Sequence, residues 1–169
     1  NGEHHGITGP LNVSYSDYVA KGSDLYIKTM QELGVSYNND FNDGDQYGVG
    51  LMQYTIGNNK RCDAVSAFLK PIENNKNLQI RINTLVTKII IENKKAIGIE
   101  VLRNGKIEKI FGQEIIITAG ALITPKILMH SGIGDEKILN KFNIPVIENL
   151  KGVGQNLQDH HEVPVISHT

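Results

Sequence analysis

Cysteine is almost absent: Cys62 is the one cysteine in 169 residues. No disulfide can form within the chain, and a tetrahedral zinc site built on several thiolates is excluded. The scarcity fits a reducing compartment, and we expect a cytoplasmic protein. Neither sign of charge dominates, since 17 Lys and Arg stand against 18 Asp and Glu. Nucleic-acid domains concentrate basic charge, so no nucleic-acid partner is expected. No apolar run approaches the roughly 18 residues of a membrane helix. The longest, such as Ile115 to Ile117, are strand-sized, so no transmembrane segment is expected. No signal peptide is expected ahead of the first element. An initiator Met is missing too: the chain starts at Asn1 and stops at His168 and Thr169, just past the strand-like Val163 to Ile166. We expect both ends to be cut points within a longer polypeptide rather than natural domain edges.

What is present is ordinary globular material. Forty per cent of residues are hydrophobic and 21% are charged, so the chain can bury a real core. Residues 1–16 are loop-like. Ser16 or Asp17 can cap a helix running to about Leu33, with Val19, Tyr26, Ile27, Met30 and Leu33 on one face and Gly34 as its stop. Residues 35–60 are rich in Asn, Asp and Gly, with turn signals at Asn42-Asp43-Gly44 and Gly57-Asn58-Asn59. A connection this long is usually functional or covered by a partner. Asp63 caps a short helix, Ala64 to Leu69, ahead of Pro71.

The period changes over residues 77–118. Leu78, Ile80 and Ile82 alternate with polar residues, and Val86 to Ile91 follows. A turn at Asn93-Lys94-Lys95 leads to Ala96 to Leu102, and Asn104-Gly105 marks a hairpin returning through Ile107 to Phe111. The expectation is an antiparallel meander. Ile115, Ile116 and Ile117 are consecutive, as in a strand buried on both faces of a parallel sheet. Ala119-Gly120-Ala121 then leads into a helix from about Thr124 to His130, and a second helix runs from Glu136 to Phe142.

The segment from Ile115 to Pro125 is therefore a strand, a small-residue turn and a helix start. Small residues after a buried strand admit a group close to the backbone, and a helix N-terminus favours an anion. Ligands in open α/β sheets sit at the carboxyl ends of strands, which makes this a candidate cofactor edge. A tight packing turn without any ligand is the alternative. Other chemistry-bearing residue types read as structural. His4-His5 and Asp159-His160-His161-Glu162 contain metal-ligand types, but neighbouring residues point apart, so no metal site is expected. Asp40, Asp43 and Asp45 lack the rest of a calcium loop and read as a solvated turn. Cys62 beside Arg61 reads as a small residue next to a solvated cation rather than an activated thiol.

The run Gly120-Ala121, Thr124-Pro125, Ile127-Leu128, Ser131-Gly132-Ile133-Gly134 matches, position for position, a signature of the glucose–methanol–choline oxidoreductases. Further segments fall in the family's order: His5-Gly6 with Gly9-Pro10-Leu11, Gln46 to Thr55, Arg61 to Leu69, Asn77 to Val86, Gly98-Ile99-Glu100, and Gly152 to His160. The resemblance covers nearly the whole chain and is closest to choline and aliphatic-alcohol dehydrogenases.

The resemblance implies an α+β fold. It would be part of a Rossmann-like FAD-binding domain with an antiparallel β-meander, plus the start of a substrate domain. Residues 1–76 would border the substrate domain, 77–134 would form the FAD-domain meander, strand and helix, and 135–169 would connect into the substrate-domain sheet. It implies FAD as cofactor and an alcohol, choline or a related primary alcohol, as substrate. The backbone of Val86 would bond the adenine, and Ala119 and Gly120 would lie near the adenosine. Asn156 and His160 would sit in a connecting segment, with a bracing role for His160.

Two family features are missing. Gly132-Ile133-Gly134 and Gly152-Val153-Gly154 lack the third glycine of the pyrophosphate fingerprint, and the segment with the family's catalytic His is absent. No catalytic residue is therefore assigned here. The chain alone is expected to be inactive and without bound FAD. Its buried strand, lacking neighbours, is expected to drive self-association. A non-catalytic binding or structural module, or the hydroxynitrile lyase branch of the same family, is the competing reading.

Overall fold

The computed structural model describes residues 4–166. The chain divides into two compact units, Asn1–Ile80 and Arg81–Thr169.

In the first unit, β1 (Ser14–Tyr15) precedes the helix α1 (Lys21–Glu32), and the small strands β2 (Gln53–Tyr54), β3 (Ile56–Gly57) and β4 (Lys60–Arg61) follow. β1 pairs antiparallel with β2, and β3 with β4. Asn58 and Asn59 both adopt positive φ, 52° and 55°, the requirement of a tight two-residue hairpin turn. The expected helix starts later than Ser16 or Asp17. Ser16 uses its hydroxyl to accept the Tyr18 N–H, closing a local turn, and Ala20 becomes the N-cap. Gly34 ends the helix as expected. It sits at φ +92°, its N–H reaches the Gln31 carbonyl, and the Val35 N–H reaches the Met30 carbonyl. The apolar stripe of α1 is not buried, and Leu25, Tyr26 and Leu33 are each more than half exposed.

The Asn- and Asp-rich segment is held by its own side chains. Asn38 Oδ1 accepts the Asp40 N–H, Asp40 Oδ1 accepts the Asn42 N–H, and Asp45 Oδ1 accepts the Tyr47 N–H. Such local bonds let a long loop satisfy its backbone without ladder partners. Asp63 accepts the Ser66 N–H at 2.7 Å and caps the following turn, as expected. That turn is not an α-helix. Val65–Leu69 is a π turn in which the Lys70 N–H reaches back to Val65, and it tightens into a 3-10 turn over Lys70–Ile72. Pro71 has no N–H to continue an α-helical ladder. Val49, Cys62 and Ala67 are the buried apolar residues of this unit.

In the second unit, β5 (Leu85–Glu92), β6 (Lys95–Arg103) and β7 (Lys106–Phe111) form an antiparallel meander in that order. Both turns have the expected chemistry: Asn93 and Lys94 lie at φ 47° and 63°, Asn104 and Gly105 at 50° and 74°. The meander starts at Leu85, not at Leu78. Leu78, Ile80 and Ile82 belong to no strand, and Asn83 turns the chain at φ 53°. Alternation alone does not make a strand without a neighbour to bond.

The same physics corrects the expectation for Ile115 to Ile117. The segment is not a strand, and Ile116 is 78% exposed. A strand buried on both faces needs partners on both edges, and no described strand runs beside it. Val163 to Ile166, strand-like in sequence, likewise pairs with no strand among the described residues, and Val163, Val165 and Ile166 are largely exposed.

Helix α2 (Gly120–His130) begins four residues before the expected Thr124, with Pro125 inside it rather than at its first turn. Its C-terminus is tied to the meander by Ser131. The buried hydroxyl accepts the Ile89 N–H at 2.7 Å and donates to the Ile127 carbonyl at 2.6 Å. Ile89 lies on the outer strand, so its N–H would otherwise be buried without a partner. Beyond Gly132, β8 (Ile133–Gly134) pairs parallel with β9 (Glu148–Asn149) around α3 (Glu136–Lys141), which Asp135 caps by accepting the Lys137 N–H. Ile89, Val101, Ile127 and Leu139 are the buried core, with Val101 and Leu139 only 1% exposed.

Candidate cofactor site

Val86 and Ala119 are 33 positions apart by their numbers, yet they line one cavity of about 470 Å³ in the second unit. β5 supplies Val86, and the segment entering α2 supplies Thr118 and Ala119. Ile99, Ile110 and Ile127 contribute apolar wall. The volume falls within the range of small-molecule sites.

Gly120 is the first residue of α2 and takes φ +83°. A Cβ placed there would meet no heavy atom within 4 Å, so its surface is open to approach. Ala119 is the N-cap and offers no side-chain acceptor. The first N–H groups of α2 thus have no capping side chain and remain available to an acceptor from outside the helix. Backbone donors, an open glycine and an apolar wall suit the adenosine half of a dinucleotide. The fit does not extend to the rest of FAD. Gly132 follows the end of α2 and packs on the Pro145 carbonyl, and Gly134 ends β8 just ahead of the six-residue α3, whose first turn Asp135 already caps by accepting the Lys137 N–H, so they form no second phosphate cradle.

The face of the meander beside Val86 carries charge. Glu100 accepts from the Thr87 hydroxyl at 2.8 Å, and Lys88 Nζ lies 3.4 Å from its other oxygen. The Thr87 bond holds the Glu100 carboxyl below the usual carboxylate range. Partial burial opposes this, and the charges of Lys88 and Lys109 reinforce it. Sequence reasoning missed Thr87, Glu100 and the bracket at Ser131. The one sequence signal was that Glu100 and Ser131 fall inside family-like segments, without a role for either.

A larger cavity lies elsewhere, about 920 Å³ between α2, α3 and residues 154–158. Leu122, Met129, Phe142 and Leu157 line it together with Asn156, which takes φ +55°. It holds none of Val86, Ala119 and Gly120, so size and family-matched chemistry do not coincide. His160 and His161 are exposed, and the Asp159 carboxylate accepts the His160 backbone N–H. His5 Nε2 pairs with Asp40 Oδ2 at 2.7 Å. Asp40 is held below the usual carboxylate range, first by the Asn42 N–H, with Gln53 and His5 adding to it. No group of three or more metal-ligating side chains occurs among the described residues. No helix among them is long and apolar enough to cross a membrane.

A family model described as GMC oxidoreductase matches residues 4–162. The chain belongs to the GMC oxidoreductase family. It is 37% identical over 161 residues to the mitochondrial choline dehydrogenase of Homo sapiens, covering 95% of this chain and 27% of that protein. To the oxygen-dependent choline dehydrogenase of Rhizobium etli it is 38% identical over 158 residues, 93% of this chain and 29% of the relative. Among solved structures, an FAD-dependent oxidoreductase from Chaetomium thermophilum matches with a TM-score of 0.89 at 36% identity, covering 94% of this chain and 28% of that one. The chain thus spans between a quarter and a third of the length of these relatives.

Proposed function

We propose that this chain is part of an FAD-dependent alcohol oxidoreductase acting on choline or a related primary alcohol. The observation that carries the reading is the single cavity on which Val86 and Ala119 meet, at the start of a helix with no capping side chain. Val86 would offer its backbone to the adenine, and Ala119 and Gly120 would let the adenosine approach closely. The bound flavin supplies the acceptor for the hydride that leaves the alcohol carbon. This chain's residues bind and orient the cofactor, and none of them holds the transferred proton. Residues 77–134 would be the cofactor-domain part, residues 1–76 and 135–169 the parts bordering the substrate domain. Choline as substrate is supported by the two choline dehydrogenases described above.

The test is reduction of flavin in the longer polypeptide that carries this segment. Anaerobic addition of choline should bleach its flavin absorption, and small alkanols should do so more slowly. Bleaching by neither would refute an alcohol substrate.

The chain alone is further expected to self-associate. Ile116 in the unpaired segment is open to solvent, with Phe111 65% exposed at the neighbouring strand end. Unpaired extended backbone recruits partners. Sedimentation should show dimers or larger species at high concentration, and a clean monomer there would count against it.

A further inference from the structure

β5 does not run in simple register with β6. Val86 faces Val101 and Lys88 faces Glu100, so Thr87 is the extra residue of a β-bulge. Bulges bend a strand and re-aim its neighbours. A side chain pins this one. Thr87 Oγ1 lies 3.1 Å from the Glu100 carbonyl oxygen and 2.8 Å from Glu100 Oε1. One hydroxyl proton is thus shared between the backbone and the carboxylate of the same residue. Glu100 is tethered again at its second oxygen by Lys88, and its side chain is only 16% exposed. An exposed Lys–Glu pair by itself contributes little. A hydroxyl at an unpaired ladder position does more, because it replaces the strand bond that the bulge removes. Val86, the preceding residue, lines the cavity that Ala119 shares.

We infer that Thr87 and Glu100 are positioning residues: they lock the bulge and so fix the Val86 backbone toward the adenosine half of a dinucleotide, without touching it. The inference rests on the reading of this cavity as the adenosine site. It sets a requirement for a hydroxyl at Thr87 that a purely apolar packing role would not impose.

The experiment is an amide-resolved NMR titration of the ¹⁵N-labelled chain at millimolar ligand. Adenosine diphosphate is the probe, and FMN, which lacks the adenosine, is the control. Adenosine diphosphate should shift the amides of Val86, Ala119 and Gly120, and FMN should leave them in place. Thr87→Val keeps the shape and removes the hydroxyl, and should weaken adenosine diphosphate binding roughly fivefold to tenfold. Thr87→Ser should restore binding to within about twofold of the parent. Glu100→Gln keeps an acceptor for Thr87 and drops the charge, so it folds even if Thr87→Val does not; a loss of about twofold to threefold is expected. If Thr87→Val binds as the parent does, or Glu100→Gln loses nothing, the positioning role is overturned while the site stands. If the parent shows no shift, or FMN shifts the same amides equally, the site reading falls and the inference falls with it.

Discussion

Replacing Gly132 with Ala is expected to destabilise the second unit by about 3–5 kcal/mol, which is enough to unfold much of it. Gly132 takes φ +83°, where an L side chain is strained. A Cβ there would also run into the Pro145 carbonyl oxygen and come within 3.0 Å of the Ile147 side chain. The obstacle is backbone, so it cannot rotate away. The Gly132 carbonyl accepts the N–H groups of both Ile147 and Glu148, at 2.8 and 3.1 Å, so any shift breaks the start of the β8–β9 pairing. Gly105 is the control. Its φ is +74°, but a Cβ at that position would meet no heavy atom within 4 Å, so Gly105→Ala should cost only about 1 kcal/mol. Urea unfolding followed by amide exchange in β5–β7 compares the two. Equal midpoints would show that the close approach at Gly132 relaxes freely and that its strain is the turn's alone.

The hairpin turns and the Gly34 stop were legible because they are local. Asn104-Gly105 and Asn93-Lys94 need only residues that tolerate positive φ, and that tolerance is written in the residue type. The strands expected at Leu78 to Ile82 and at Ile115 to Ile117 were not legible, because a strand exists only beside another. Both segments have the apolar pattern, and neither belongs to any strand of the sheets among the described residues. The start of α2, expected at about Thr124, falls instead at Gly120, and the helix carries Pro125 inside. In the site, Val86, Ala119 and Gly120 came from matching segments, and the structure places the first two on one cavity. Thr87, Glu100 and Ser131 act through partners distant in sequence. Ser131 serves an N–H 42 residues away, and no local pattern announces such a bond.

The second large effect concerns the cofactor, and the purified chain is expected to carry none. Three groups of FAD need a wall: the adenosine, the pyrophosphate and the flavin ring. On the proposed reading, the cavity lined by Val86 and Ala119 would offer the first. The start of α2 is the one glycine-bearing helix N-terminus beside it, whereas a dinucleotide site normally also uses a glycine-rich turn for the pyrophosphate. Gly152 and Gly154 do not supply that turn. Gly154 lines the other cavity, against Met129. The flavin ring then has no assigned cover, so its aromatic surface stays in water. Each lost polar contact is worth on the order of 1 kcal/mol, and every ~1.4 kcal/mol is tenfold in affinity. Losing several weakens binding by orders of magnitude, into the range where adenosine diphosphate alone would bind. Such a ligand is washed away during purification. The chain should be colourless and should oxidise no alcohol with any added acceptor. A visible spectrum decides it: stoichiometric absorption at about 450 nm, the band of oxidised flavin, would mean that the residues of this chain hold pyrophosphate and flavin ring as well as adenosine.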